Sequence, residues 1–185
     1  LPSRRLMSNS GTDMIPGLEL IVAADSRMGI GRDGDLPWRI KGDMAFFRET
    51  TQDATAPVVI MGRRTWESIP ERFRPLKGRH NIVISRQADY SVPTGVGLAQ
   101  SFDDAVALAV AAGDRYFVIG GGHIYRAALN APETHVLHLT EVDGEYDCDT
   151  HLPPLDGFER VWTDDWIVEG THRYRFTRWV RPVSY

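Results

Sequence analysis

The 185-residue chain has one cysteine, Cys148. It can form no internal disulfide and offers no cysteine-rich metal set, a pattern that suits a reducing cytoplasm. No apolar run approaches the roughly 20 residues that span a bilayer. A basic excess is missing too: the formal net charge is −4, which argues against a dedicated nucleic-acid binder. The opening stretch LPSRRLMSNSGTDMIPG has arginines but no apolar block behind them, so it does not read as a signal peptide. Residues 1–17 read as a flexible tail or cloning remnant, and residues 18–185 as a single domain. Internal repeats, low-complexity tracts and dividing linkers are absent as well.

What is there is enough apolar material for a core, 42%, with an ordinary 25% of charged residues. LELIVAAD (18–25) and PVVIMG (57–62) are continuous apolar runs of strand length, as expected for strands buried on both faces. HNIVIS (80–85), VGLAQ (96–100), RYFVIG (115–120) and the alternating THVLHLTEV (134–142) continue the series. Helices are expected from Lys41 to Thr51, with Ile40, Met44, Phe47 and Thr51 on one stripe, and over RRTWESI, ended by Pro70. A third should start at Ser101 with Asp103 and Asp104 and be closed by Gly113. A fourth should open near His123. FERVWTDDWIVEG and THRYRFTRWVR read as a long terminal hairpin. Strands alternating with helices imply an α/β fold: one mixed, mostly parallel β-sheet flanked by helices, with antiparallel strands at the C-terminal end.

Two glycine-bearing turns follow strands. GIGRDG formally matches a dinucleotide fingerprint, but it runs into Asp35, Leu36 and Pro37 rather than a helix. It reads instead as a mobile loop. VIGGGHIYRAAL has the right context of strand, glycines and helix, where backbone N–H groups can approach a phosphate. One glycine would satisfy a tight turn, so three favour anion binding. IMGRRTW places Arg63 and Arg64 at a helix start, against the macrodipole, which an anion would offset. Ser85 and Arg86 end another strand. Strand C-termini of an open α/β sheet share one edge, where ligands bind. Together these groups suit a dinucleotide with an extra phosphate, of the NADP type.

Asp43 stands among Leu36, Trp38, Ile40, Met44, Phe46 and Phe47. A carboxylate walled by apolar groups is costly without a partner. Its place in a helix's first turn is favoured by the dipole in any case, yet Phe47, four residues on, shares its face. Thr140 alternates with His138 and Val136, so it can point inward, either to a site or into packed core.

The segments LIVAAD…GIGRDGDLPW, GDMAFFRETT, VIMGRRTWESIP, PLKGRHNIVISR, VIGGGHIYRAAL, LTEV and YDCDTHLP, in this order, resemble a dihydrofolate reductase of the bacterial chromosomal type. The resemblance implies reduction of 7,8-dihydrofolate to tetrahydrofolate with NADPH. Asp43 would be the single active-site carboxylate, binding the pterin's 2-amino group and ring nitrogen and favouring water-mediated protonation. Thr140 would bond to it, Trp38 would hold an ordered water, and Leu36 would sit on the loop over the nicotinamide. Val22, Ala23, Phe47, Thr65, Ile69 and Leu76 would line the substrate pocket, and Arg79 would clamp the substrate's glutamate α-carboxylate. Ala23, Ile30, Gly62, Arg63, Arg64, Thr65, Ser85, Arg86, Ile119, Gly120, Gly121, Gly122, His123, Ile124 and Tyr125 would hold the cofactor, with a cis peptide in the glycine pair.

Asp149 matches a loop acid that steadies the active-site loop. The stretch PERFRP is longer than the shortest pattern, His123 stands where some members have arginine, and Lys41 where proline is frequent. The expected partners are dihydrofolate and antifolate-like small molecules, with no metal, nucleic acid or membrane, and a monomer is expected. Riboflavin-pathway reductases share the architecture and the NADPH-binding half but usually lack the combination of Asp35, Leu36, Pro37 and Trp38 with an acid, here Asp43, on the first helix. A non-catalytic NADP-binding module would need neither Asp43, Trp38 nor Arg79.

Overall fold

The computed structural model describes residues 17–182. Of the tail expected over residues 1–17, residues 1–16 lie outside the described residues. Along the chain run β1 (Leu18–Ala24), β2 (Gly29–Gly31), α1 (Lys41–Thr51), β3 (Pro57–Gly62), α2 (Arg63–Ser68) and a 3-10 turn (Glu71–Phe73). Then come β4 (His80–Ile84), β5 (Gly97–Ala99), α3 (Phe102–Ala112), β6 (Arg115–Val118) and α4 (Gly122–Asn130). The C-terminal part holds β7 (Thr134–Val142), β8 (Thr150–His151), β9 (Glu159–Thr163), β10 (Ile167–Glu169) and β11 (His172–Val180).

Nine strands form one sheet in the order β10-β11-β7-β1-β6-β3-β4-β5, with β9 also paired to β11. From β7 to β5 all neighbours are parallel, and β11 joins antiparallel to β7. Parallel strands here are covered on both faces, which is why their sequences are unbroken apolar runs. Helices α3 and α4 pack on one face over Leu18, Leu20, Val22, Leu137 and Leu139. On the other face, Phe46 of α1 joins Tyr174 and Phe176, and Trp66 of α2 joins Val59, Met61, Val83 and Phe117.

Four expectations need amending. The stripe on α1 is rotated: Met44 is exposed, while Phe46 stacks on Phe176 at 4.2 Å and Thr50 and Thr51 are buried. The inward set is therefore Asp43, Phe46, Phe47, Thr50 and Thr51, still at i, i+3, i+4, i+7 and i+8. Gly113 ends α3 in extended backbone, φ −158°, rather than a left-handed turn. Its reason is space, since a Cβ there would meet the Ala56 carbonyl at 2.1 Å and Val58 Cγ2 at 2.6 Å.

The first arm of the terminal hairpin is broken into β9 and β10, which pair with different parts of β11. The segment expected to be a loop after β1 contains β2, which pairs with β8. That pairing joins positions far apart in the chain, so local pattern could not show it.

Candidate active site

Asp43 sits in the first turn of α1, whose preceding residue, Ile40, provides no side-chain cap. Glu169 of β10 supplies it instead: its carboxylate accepts the backbone N–H groups of Lys41 at 2.7 Å and Gly42 at 3.0 Å. Those amides hold the Glu169 carboxyl below its usual pKa, against the opposing effect of burial. Gly42 allows close contact here, because a Cβ would lie 2.0 Å from the Tyr174 hydroxyl. The start of α1 is thus seated against β10 and β11.

Half-buried, Asp43 receives a hydrogen bond from Thr140, Oγ1 to Oδ1, at 2.6 Å. Burial pushes the Asp43 carboxyl above its usual pKa, and the Thr140 bond only partly offsets it. Strand pairing sets Thr140 beside Ala23, while Val22 pairs with Leu139. Alternation therefore turns Val22 into the core under α3 and α4, and Ala23 toward Asp43's side of the sheet. Tyr125 is buried, donates to the Ile21 carbonyl at 2.8 Å, and has its hydroxyl pKa pushed up by burial and by the nearby Asp43.

Trp38 is buried and packs edge-on against Tyr146 at 5.2 Å. Its indole Nε1 is buried without an acceptor among the described residues. Leu36 is 50% exposed, on the rim rather than in the core. Asp33, earlier in the same loop, donates its backbone N–H to Asp149 Oδ2 at 2.8 Å.

Beyond α1, Arg79 donates to Thr51 Oγ1 at 3.0 Å and to the Lys77 carbonyl at 2.9 Å, and meets no carboxylate among the described residues. Burial, with repulsion from Arg48, pushes its guanidinium pKa down. Buried Asn81 fixes this turn by accepting from Leu76 N–H and donating to the Leu76 and Arg79 carbonyls. Ile69 and Leu76 are half-buried against the cluster around Trp66. Phe73, in the extra turn, is exposed.

At the sheet's carboxyl edge, the Gly120–Gly121 peptide is cis. Gly120 has φ +124°, and a Cβ on Gly122 would meet Thr150 Cγ2 at 2.7 Å. Two of the three glycines are therefore demanded by the chain's own packing. At Gly121 a Cβ would only touch Thr65 Oγ1 at 3.4 Å, so that position is open toward Thr65. Gly62 N–H donates to the Gly120 carbonyl at 2.8 Å and draws the two turns together.

Arg63 is already engaged: it meets Glu67 at 2.8 Å and Gln87 at 2.6 Å, and stacks on Tyr90 at 4.5 Å. The charge opposing the macrodipole is thus offset within the chain. Arg64 and Arg86 are exposed and carry no such partner among the described residues, and Ser85 is buried beside Arg86. His123 is exposed at the start of α4, Ile119 packs with the cluster around Trp66, and Ile30 and Ile124 lie against the core beneath α4.

These features define an open α/β protein with a half-buried acid, glycine turns at its strand ends and two exposed arginines. A family model described as dihydrofolate reductase matches residues 17–181. The chain is 43% identical to a dihydrofolate reductase of Heliothis virescens, over 83% of this chain and 88% of that protein. A bifunctional dihydrofolate reductase-thymidylate synthase of Glycine max is 40% identical over 96% of this chain and 37% of its own length. The solved structure of Schistosoma mansoni dihydrofolate reductase matches with a TM-score of 0.80 and 35% identity, covering 91% of this chain and 100% of that one. The chain belongs to the dihydrofolate reductase family. It spans about a third of the length of the plant bifunctional relatives, from 32% to 37%. These relatives lend no support to the expected bacterial subtype.

The sequence pointed to Asp43, Thr140 and Arg79, and the structure joins Asp43 to Thr140 and Arg79 to Thr51. It did not point to Glu169 or Asn81, whose side chains hold backbone in place. The signal for Asn81 was visible as a polar residue inside an apolar strand, HNIVI.

Proposed function

We propose that this chain reduces 7,8-dihydrofolate to 5,6,7,8-tetrahydrofolate with NADPH. The single observation that carries the reading is Asp43: a half-buried carboxylate bonded to Thr140 and short of other donors among the described residues. A pterin's 2-amino group and ring N–H supply the two donors such a carboxylate takes in a fork. Phe47, Ala23, Ile69 and Leu76 offer apolar surface for the rings, and Arg79 a guanidinium free of acids for the tail carboxylate.

The cofactor's fit rests on the open face at Gly121, on Thr65, and on Arg64 and Arg86, which suit a pyrophosphate and a 2′-phosphate. When bound, NADPH supplies the hydride, and the pterin nitrogen takes up one proton to complete the reduction. Asp43 orients the pterin and, as a nearby negative charge, favours protonation of that nitrogen. Trp38 Nε1 is a buried donor suited to a water beside the pterin. No described helix is long and apolar enough to cross a membrane. The reading is of one cytoplasmic, monomeric catalytic domain.

The test is to mix the protein with NADPH and dihydrofolate and follow the near-ultraviolet absorbance of the reduced nicotinamide, with NADH alongside. Loss that requires dihydrofolate and prefers NADPH is expected. NADPH binding without such loss would overturn the substrate half of the reading.

A further inference from the structure

The turn after β1 and the loop after β7 are joined at two depths. On the outside is the exposed contact between Asp149 and Asp33. On the inside is Asp25, at the end of β1, a carboxylate with 6% exposure and no part in the chemistry above. Its Oδ1 accepts the backbone N–H groups of Arg27 at 2.9 Å and Gly29 at 2.8 Å. Its Oδ2 accepts the backbone N–H of Tyr146 at 3.0 Å and the thiol of Cys148 at 3.6 Å. One oxygen therefore serves the first loop and the other serves the second.

Burial would raise the Asp25 pKa, but three backbone amides outweigh it and hold the group below the usual carboxylate range. It is charged throughout the neutral range. The packing is close, for a Cβ on Gly29 would meet Cys148 Sγ at 2.7 Å and Asp25 Oδ1 at 2.9 Å. What Asp25 holds matters for the site. Tyr146, fixed through its amide, donates to or accepts from His172 Nδ1 at 2.8 Å through its hydroxyl and sets its ring against Trp38.

We propose that Asp25 is a positioning residue for the reduction: by dividing its two oxygens between the loops, it fixes Tyr146, and through Tyr146 the indole of Trp38 beside the pterin site. The inference rests on the reading of the chain as a dihydrofolate reductase. An asparagine at this position keeps one acceptor oxygen but turns an N–H₂ group toward the donors of the other loop. A leucine at position 146 keeps the backbone N–H for Asp25 but removes the ring that reaches Trp38.

The experiment compares the whole chain with Asp25→Asn and Tyr146→Leu, measuring kcat per folded molecule, both KM values, melting temperature and amide hydrogen exchange. Both variants should lose about tenfold in kcat with dihydrofolate KM changed by less than about twofold. In Asp25→Asn the amides of Arg27, Gly29 and Tyr146 should exchange faster while those of β1 and β7 stay protected. A merely stabilising role would lower the melting temperature and leave kcat per folded molecule alone. That outcome in Asp25→Asn, or an unchanged kcat in Tyr146→Leu if the first variant does not fold, would overturn the inference. Wild-type protein that fails to turn over dihydrofolate would remove the functional reading itself, whereas active wild type with equally active variants removes only the role of Asp25.

Discussion

Thr140 donates to Asp43 across 97 positions of chain, from the middle of a strand to the first turn of a helix, at 2.6 Å. That bond satisfies one lone pair of a carboxylate whose burial raises its pKa. Among the described residues no other group donates to it, and that remaining capacity is what the proposed pterin would use.

The substitution Asp43→Asn should therefore separate activity from stability. Turnover should fall at least about a hundredfold, since a charged anchor for the pterin and the charge favouring its protonation are both lost. Stability should rise at neutral pH. A raised pKa means that the charged form is disfavoured in the fold, a cost present above the folded pKa and relieved as pH falls toward the ordinary carboxylate value. The gain over wild type should then shrink on acidification, checked by denaturant unfolding at neutral and acidic pH. An asparagine variant with near-normal turnover, or less stable than wild type at neutral pH, contradicts this account.

Cofactor preference should depend on the free arginines more than on Arg63. The substitution Arg86→Gln should narrow the preference for NADPH over NADH by about tenfold, as one charged contact to a 2′-phosphate is removed. The substitution Arg63→Gln should change it less, because that guanidinium is already held by Glu67, Gln87 and Tyr90. Ratios of kcat/KM for the two cofactors decide the matter, and a larger effect at Arg63 would reverse the assignment.

Acid should weaken the fold through Glu19. Burial alone would raise its pKa, but hydrogen bonds from Arg115, at 2.6 and 2.9 Å, and from His138, at 2.9 Å, bring it down to about 2. A depressed carboxylate stabilises the fold fully above its unfolded pKa of 4.5 and loses that contribution as pH falls toward 2. The shift corresponds to about 3 kcal/mol. Glu19→Gln should be markedly destabilised at pH near 7 and approach wild type near pH 3, measured by urea unfolding at both. An equal deficit at the two values would show that the ion pair is not the cause.

Removing the cap on α1 should reach the site indirectly. Glu169→Ala should lower stability, as the loss of a helix cap does, and should raise the KM for dihydrofolate. Wild-type KM in a variant that does lose stability would mean that the cap does not position Asp43.

The sheet was legible because its parallel strands are covered on both faces, so that PVVIMG and HNIVIS announce themselves as unbroken apolar runs. The polar groups of the site were legible by contrast with their surroundings, as Asp43 was among aromatics. The remainder depends on contacts between distant segments. Nothing near Lys41 foretells that its amide is met by Glu169, and nothing in VGLAQ or GIG fixes where a three-residue strand begins. Met44 and Phe46 are both apolar residues of one helix, and only the stacking on Phe176 decides which faces inward. Gly113 stood where a turn glycine belongs, but its neighbour Ala56 is what excludes a side chain.

The acids at either end of α1 have a mechanical consequence. Glu169 grips its first turn, and just past its last turn Asp53 offers both backbone and side-chain oxygens to Arg115, at 2.9 and 3.2 Å. A rod clamped at both ends bows most at its middle and least beside a clamp. Asp43, two residues into the helix, lies close to one clamp, so thermal bending would shift the middle turn of α1 sooner than the carboxylate.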